Sequence, residues 1–405
     1  MNFAEFIAEQ KNTHMTHIED KVLYGGVRGT REAILALREL RDMLGGKSKG
    51  ALSVKWDGAP AIFCGEDPSD GKFFVAKKGI FAKNPKIYKT NAEIDEDMSG
   101  DLADKMKTAL RLLPSLGIKG VIQGDFLYGP GDVKKKKIDG ESYVTFHPNT
   151  IVYAIPERMA SDIIKSEIGI VWHTTYTGSD FESMKASYGV DVSKFKSSVK
   201  VWSQDAMLRD VSSATMSEKE TAEVTKILSS AGKIFNSISG TTLRTLEGNQ
   251  DLAKLIEQHI NTFVRKGSMP PQPKIHVRKL LQWINDKYQK EIDKRKTDKG
   301  KAVQQKKLDE ILEFFSPSNK KSLEKMFELQ RLIVIAKLKL INKLNSLKKI
   351  DTFVKTKQGY KVTGEEGYVA IDKLGGDAVK LVDRMEFSYN NFSPDILKGW
   401  DKPTR

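Results

Sequence analysis

One cysteine, Cys64, stands in a chain of 405 residues, so the sequence holds neither an intrachain disulfide nor a cysteine-built zinc site, and a reducing compartment is expected. Cys64 lies in the apolar run 61–64 with no base beside it, which reads as a strand residue and not as a nucleophile. Also missing is any unbroken apolar stretch of about 18 residues. The first residues carry acids where a secretory leader needs a basic segment and then an apolar one. The expectation is a soluble cytoplasmic protein with no membrane partner. Acidic residues are in deficit: 53 Asp and Glu against 67 Lys and Arg leave a formal charge of +14 and a pI near 9.4. That surplus favours a polyanionic partner, nucleic acid first, because clustered cations gain by displacing counterions from phosphates.

The length suggests two domains, or one domain with a large insertion. Residues 1–203 read as mixed α/β. Thr30 is placed to cap a helix with Ile34, Leu37 and Leu40 on one side and Gly45 and Gly46 at its end. Short apolar runs at 52–55, 61–64, 73–76, 121–124, 151–155 and 168–172, bounded by Gly, Pro or Asp, read as strands. From 204 to 348 the spacing turns helical, and Leu323, Phe327, Leu332, Ile335, Leu338, Ile341, Leu344 and Leu347 predict one buried stripe on a long last helix. Strand character returns over 349–405, at 352–355, 367–371 and 378–382. The simplest topology is an α/β domain whose closing strands follow a helical insertion. The lysine runs 134–137 and 287–307 are solvated surface or a grip on a phosphodiester backbone.

The triplet Gly46, Lys47, Ser48 imitates the end of a phosphate-binding loop, but Arg41 stands where its first glycine belongs and the segment follows a helix, so that reading fails. The informative segment is 54–60. Lys55 closes a strand and Gly58 lets the chain turn beneath a ligand. A lysine in a partly desolvated cleft near other cations loses its proton readily and can attack phosphorus.

Taken in order, Lys55-x-Asp57-Gly58, Lys78 with its neighbour Lys77, the strand 123–125 followed by Gly129-Pro130-Gly131, the strand of Tyr153, Glu366-Gly367 and Lys380 form a series. This series resembles the motifs of the covalent nucleotidyltransferases, most closely the nick-sealing RNA ligases of bacteriophages. The resemblance implies an α/β (α+β) fold, an ATP-grasp-like two-sheet adenylation domain, here with a large helical insertion. It implies ATP and Mg²⁺ or Mn²⁺ as cofactors, RNA or DNA ends as partners, a monomer, and the host cytoplasm for a viral protein.

The same resemblance implies residue roles. Lys55 forms the lysyl-AMP; Asp57 orients it or binds ribose; Lys78 and Lys380 touch phosphate. Asp125, in place of the family's glutamate, and Glu366 bind ribose or metal. Tyr153, with Phe146 behind it, stacks on adenine or is core; His17 edges the adenine pocket or packs a helix.

Three positions depart from the pattern. Pro60 replaces the usual Arg or Asn, Val382 replaces a second lysine for which Arg384 or Lys77 could compensate, and after Lys380 the sequence runs only to Arg405, short of the β-barrel that DNA ligases and capping enzymes carry. That last point favours RNA or an RNA/DNA nick over DNA. Trp400 to Lys402 imitate the barrel enzymes' final motif and read as a terminal loop. Two other functions fit the same motifs: adenylation of a different acceptor, and a catalytically silent nucleic-acid-binding protein.

Overall fold

The computed structural model describes residues 16–47, 51–208, 216–346, 350–371 and 378–399; Ser48, Leu347 and residues 400–402, singled out above, lie outside them. The fold is mixed α/β, with three sheets among the described residues. The first sheet runs in the order β12 (Met207–Leu208), β1 (Ala51–Lys55), β15 (Gly367–Ile371), β16 (Ala378–Leu381). It thus joins an early strand to two late ones. The second is ordered β10 (Lys185–Tyr188), β9 (Ile168–Thr177), β5 (Val121–Tyr128), β2 (Ala61–Glu66), β3 (Phe73–Ala76), β4 (Ile87–Tyr88), with β11 (Val201–Asp205) parallel to β9. The third is ordered β14 (Gly359–Val362), β13 (Asp351–Thr356), β8 (Ile151–Pro156), β7 (Glu141–Phe146), β6 (Lys134–Ile138), with β17 (Ile396–Leu397) against β13. The lysine run 134–137 is therefore an exposed edge strand, where lysines discourage pairing with another chain.

The described residues form nine helices of eight or more residues: α1 (Gly26–Leu44), α2 (Gly100–Leu112), α3 (Glu218–Ser237), α4 (Gly240–Gly248), α5 (Gln250–Val264), α6 (Pro273–Asp293), α7 (Asp298–Phe314), α8 (Pro317–Asn345) and α9 (Arg384–Phe392). Helix α1 starts four residues before the cap expected at Thr30, whose hydroxyl instead donates to the Gly26 carbonyl at 2.6 Å inside the helix. Its other end falls at Gly45, as predicted.

The helical region begins at Glu218, behind a Ser217–Glu220 capping box, because residues 201–208 form β11 and β12. It shares one core with α1 and the back of the first sheet: Leu37, Leu52, Leu228, Leu280, Leu340 and Tyr368 belong to the same apolar cluster. Of the stripe expected on α8, Leu323, Phe327, Ile341 and Leu344 are buried, alongside Met326, Gln330, Ile333, Lys337 and Leu340. Leu332, Ile335 and Leu338, expected on it, are half-buried on its flank. Only the middle of the stripe is out of phase, because Lys337 and Gln330 occupy core positions that a count of apolar residues skips.

Lys337 is fully buried against Glu19, at 2.8 and 2.9 Å, and Arg384 grips Asp20 at 2.9 and 3.0 Å. These pairs tie the turn Ile18–Asp20 to α8 and to α9. Glu19 is desolvated, yet Lys337 and Arg384 together hold its carboxyl down at about 2.

Candidate active site

Strand alternation decides what faces what in the first sheet. Leu52, Val54, Tyr368 and Leu381 turn toward the helical core. Ser53 lies opposite Val369, which lies opposite Lys380, and Lys55 is two residues from Ser53. Lys55 and Lys380 therefore share the face away from the helices. Glu366, just before β15, meets Lys55 with Nζ to Oε2 at 2.5 Å. Burial pushes the Glu366 carboxyl up while the Lys55 charge opposes it. Burial, and then the Lys55 charge, press Lys380 below the ordinary lysine range. Three sequence-predicted residues, from segments far apart in the chain, thus converge on one surface.

The loop 56–60 leads from the first sheet to the second. Ala59 N donates to the Phe126 carbonyl at 2.8 Å and Phe126 N to the Pro60 carbonyl at 3.0 Å, so the loop docks on β5 like a short strand. A Cβ at Gly58 would stand 2.6 Å from Asp125 Cβ, which is why glycine is needed there. Pro60 follows a cis peptide bond.

Asp57 is not aimed at a ligand. Its carboxylate accepts from Thr150 N (2.6 Å), Ile151 N (2.8 Å) and Asn149 Nδ2 (2.9 Å), strapping the loop to the third sheet. Burial outweighs these donors and raises its pKa. Its role is to position the loop, through contacts that leave little for ribose.

Tyr153 is likewise corrected: it is completely buried, its hydroxyl accepts from Asp57 N at 2.7 Å, and its ring lies between Trp56 (4.7 Å) and Phe146 (5.4 Å). No face remains for adenine. Phe146, also buried, is core.

In the second sheet Asp125 is part-exposed beside the His173 ring, Oδ2 to Nε2 at 3.5 Å. His173 was missed. Gln123 pairs with Thr174 and Gly124 with Trp172, so His173 is the extra residue of a β-bulge, a device that re-aims a side chain. The bulge needs Gly124, where a Cβ would come 2.4 Å from the Val171 carbonyl oxygen. The apolar run that marked this strand ended at Trp172, and only the pairing places the next residue.

Lys78 opens a 3-10 turn after β3 and is exposed. Lys77 pairs with Asp97 at 3.1 Å, and Lys86 and Tyr88 also donate to that carboxylate.

Neither proposed substitute for the second lysine serves. Val382 is buried, Arg384 is committed to Asp20, and Lys77 to Asp97. Lys398, unmarked by sequence, donates to Thr150 Oγ1 at 2.7 Å near Asp57.

His17 bridges Lys380 in parallel register, and burial drives its pKa to about 3, so it is neutral; its Nδ1 has no partner among the described residues. It packs beside the site, at the first sheet's edge. Among the described residues no three His, Cys, Asp or Glu side chains group to hold a metal, and Glu366 and Asp125, the two metal candidates, are engaged with Lys55 and His173. No described helix is long and apolar enough to cross a membrane.

No curated protein and no solved structure matches the chain. A family model does, across residues 12–395, a span that takes in every sequence-predicted site residue and His173 but not Lys398. The chain therefore belongs to that family, described as a family of unknown function (DUF6267).

Proposed function

We propose that this protein is an ATP-dependent polynucleotide ligase that works through a lysyl-AMP at Lys55. The observation that carries the reading is the meeting of Lys55, Glu366 and Lys380 on one face of the first sheet. In this reading the Lys55 amine attacks the α-phosphorus of ATP; an N–P bond forms, the bond to the bridging oxygen breaks, and pyrophosphate leaves. Before attack the ammonium gives up a proton, and the Glu366 carboxylate is within reach of it.

Lys380 offers positive charge to the α-phosphate, and Lys78 offers more from the second sheet. Mg²⁺ or Mn²⁺ needs only one or two carboxylates when it arrives on ATP phosphates, and there it neutralises charge; Glu366 is the carboxylate on this face that would meet it. His173 replaces Tyr153 as the ring offered to adenine, with Asp125 beside it for ribose.

The adenylate then passes to a 5′-phosphate, and attack by a 3′-hydroxyl seals the ends and releases AMP. A nicked RNA duplex or RNA/DNA hybrid is the favoured substrate, with the lysine-rich stretch 287–307 against its backbone.

The test is incubation with α-³²P-ATP and Mg²⁺, then a denaturing gel. Wild type takes up label and Lys55→Ala takes up none. Absence of label with every nucleotide and either metal would leave the nucleic-acid-binding alternative. Label that reaches an acceptor without sealing would assign the other nucleotidyl transfer, a reading the buried Val382 favours.

A further inference from the structure

Outside the site, the described residues line a partly open cavity where α5, α6 and α8 meet the turn Ile18–Asp20 and α9. Its walls are apolar: Ile260, Val264, Met269, Phe327, Val334 and Leu338 line it, with Pro270 and Pro271 at the side. Its charged lining residues largely cancel: Glu19 with Lys337 and Asp20 with Arg384 are paired in the walls. Arg331 pairs with Glu328 and Asp383 caps α9, so the lining carries no surplus of either charge for an ionic guest.

Two further lining groups, however, are buried and unsatisfied. Gln330 is 6 % exposed; its Nε2 donates to the Glu19 carbonyl at 3.1 Å, which fixes the amide and leaves Oε1 with no donor among the described residues. His276 is 2 % exposed and stacks on Phe327 at 3.9 Å, and its Nε2 has no partner among them either. Burial holds that imidazole neutral, its pKa near 3. A buried acceptor without a donor is costly, and a ligand that supplies the donor recovers that cost.

We propose that this cavity is a second, separate small-molecule site, which takes an uncharged ring compound with an O–H or N–H donor. The ring fills the Met, Pro and Phe-lined part and the donor reaches Gln330 Oε1. The proposal is independent of whether Lys55 takes up a nucleotide.

Phenol and toluene serve as probes, because they match in shape and differ in one donor; binding to the full chain is followed by ligand-observed NMR titration. Phenol is expected to bind at least about tenfold more tightly than toluene, the worth of one buried hydrogen bond. Val334→Trp, which fills the space, should weaken both by tenfold or more. Gln330→Met keeps the volume and removes the acceptor, so it should retain toluene and bring the phenol-to-toluene ratio close to one. Absence of phenol binding overturns the proposal. So does equal affinity for the two probes in wild type, an unchanged ratio in Gln330→Met, or undiminished binding by a folded Val334→Trp.

Discussion

Two lysine–glutamate pairs in this molecule have nearly the same length and opposite settings. Lys337 and Glu19 meet at 2.8 Å with side chains 1 % and 5 % exposed, and Arg384 stands on the other side of the glutamate. Lys55 and Glu366 meet at 2.5 Å with 32 % and 11 % exposed, and the same glutamate feels a second lysine, Lys380. In the first pair every charge is countered and sealed from water, which locks one arrangement. In the second, two cations compete for one carboxylate at an open face, and the partners can be exchanged for a ligand. A buried pair is a fastening; a half-open one is a place where chemistry can begin.

The sharpest way to break this contrast is Lys337→Met. It removes the nearer of the two cations on the buried Glu19 and leaves only Arg384, at 3.7 Å, which should cost about 3 kcal/mol, read as a lower urea midpoint. A loss comparable to that of a surface pair would mean that the two pairs do not differ.

The next effect is on pH. His276 has a folded pKa near 3, below its unfolded value of 6.5. The unfolded chain therefore binds a proton that the folded chain refuses, and this stability is lost as pH falls from 6.5 toward 3. Between pH 7 and 5 the loss should be about 2 kcal/mol for this one group. A folded His276→Phe variant should lose correspondingly less than wild type over the same interval; identical slopes would mean that the ring is protonated in place.

His173→Ala comes third. It should leave the urea midpoint nearly unchanged and raise the ATP concentration for half-maximal labelling about tenfold, through loss of one stacked ring. No change would remove the second sheet from the nucleotide's surroundings and leave the first sheet alone.

The smallest effect on stability belongs to Lys55→Met, under about 1 kcal/mol for a part-exposed pair, together with complete loss of label. A large loss of stability would make Lys55 a fastening like Lys337.

Three of the first sheet's four strands were readable because each carries its own local signal, an apolar alternation that ends in Lys55, another behind Glu366 and a third around Lys380; β12 was not, since it opens the stretch that reads as helical. Their shared face then follows from register. The second and third sheets were less open to reading. Tyr153 in an apolar strand looks the same as platform or core, and only the closeness of Trp56 and Phe146 decides it. His173 depends on a mismatch between two strands, which neither strand encodes by itself. The Glu19–Lys337 pair joins residues at opposite ends of the sequence, and a lone lysine in a helix carries no mark of burial. β6 was hidden because a run of lysines reads as charge before it reads as an edge.

The order of strands in the first sheet also bears on biogenesis. β1 emerges from the ribosome early, whereas β15 and β16, which bring Glu366 and Lys380, follow only after all of α3 to α8. A nascent chain that holds Lys55 alone lacks Glu366 and Lys380, so the nucleotide chemistry proposed for Lys55 would switch on late in synthesis.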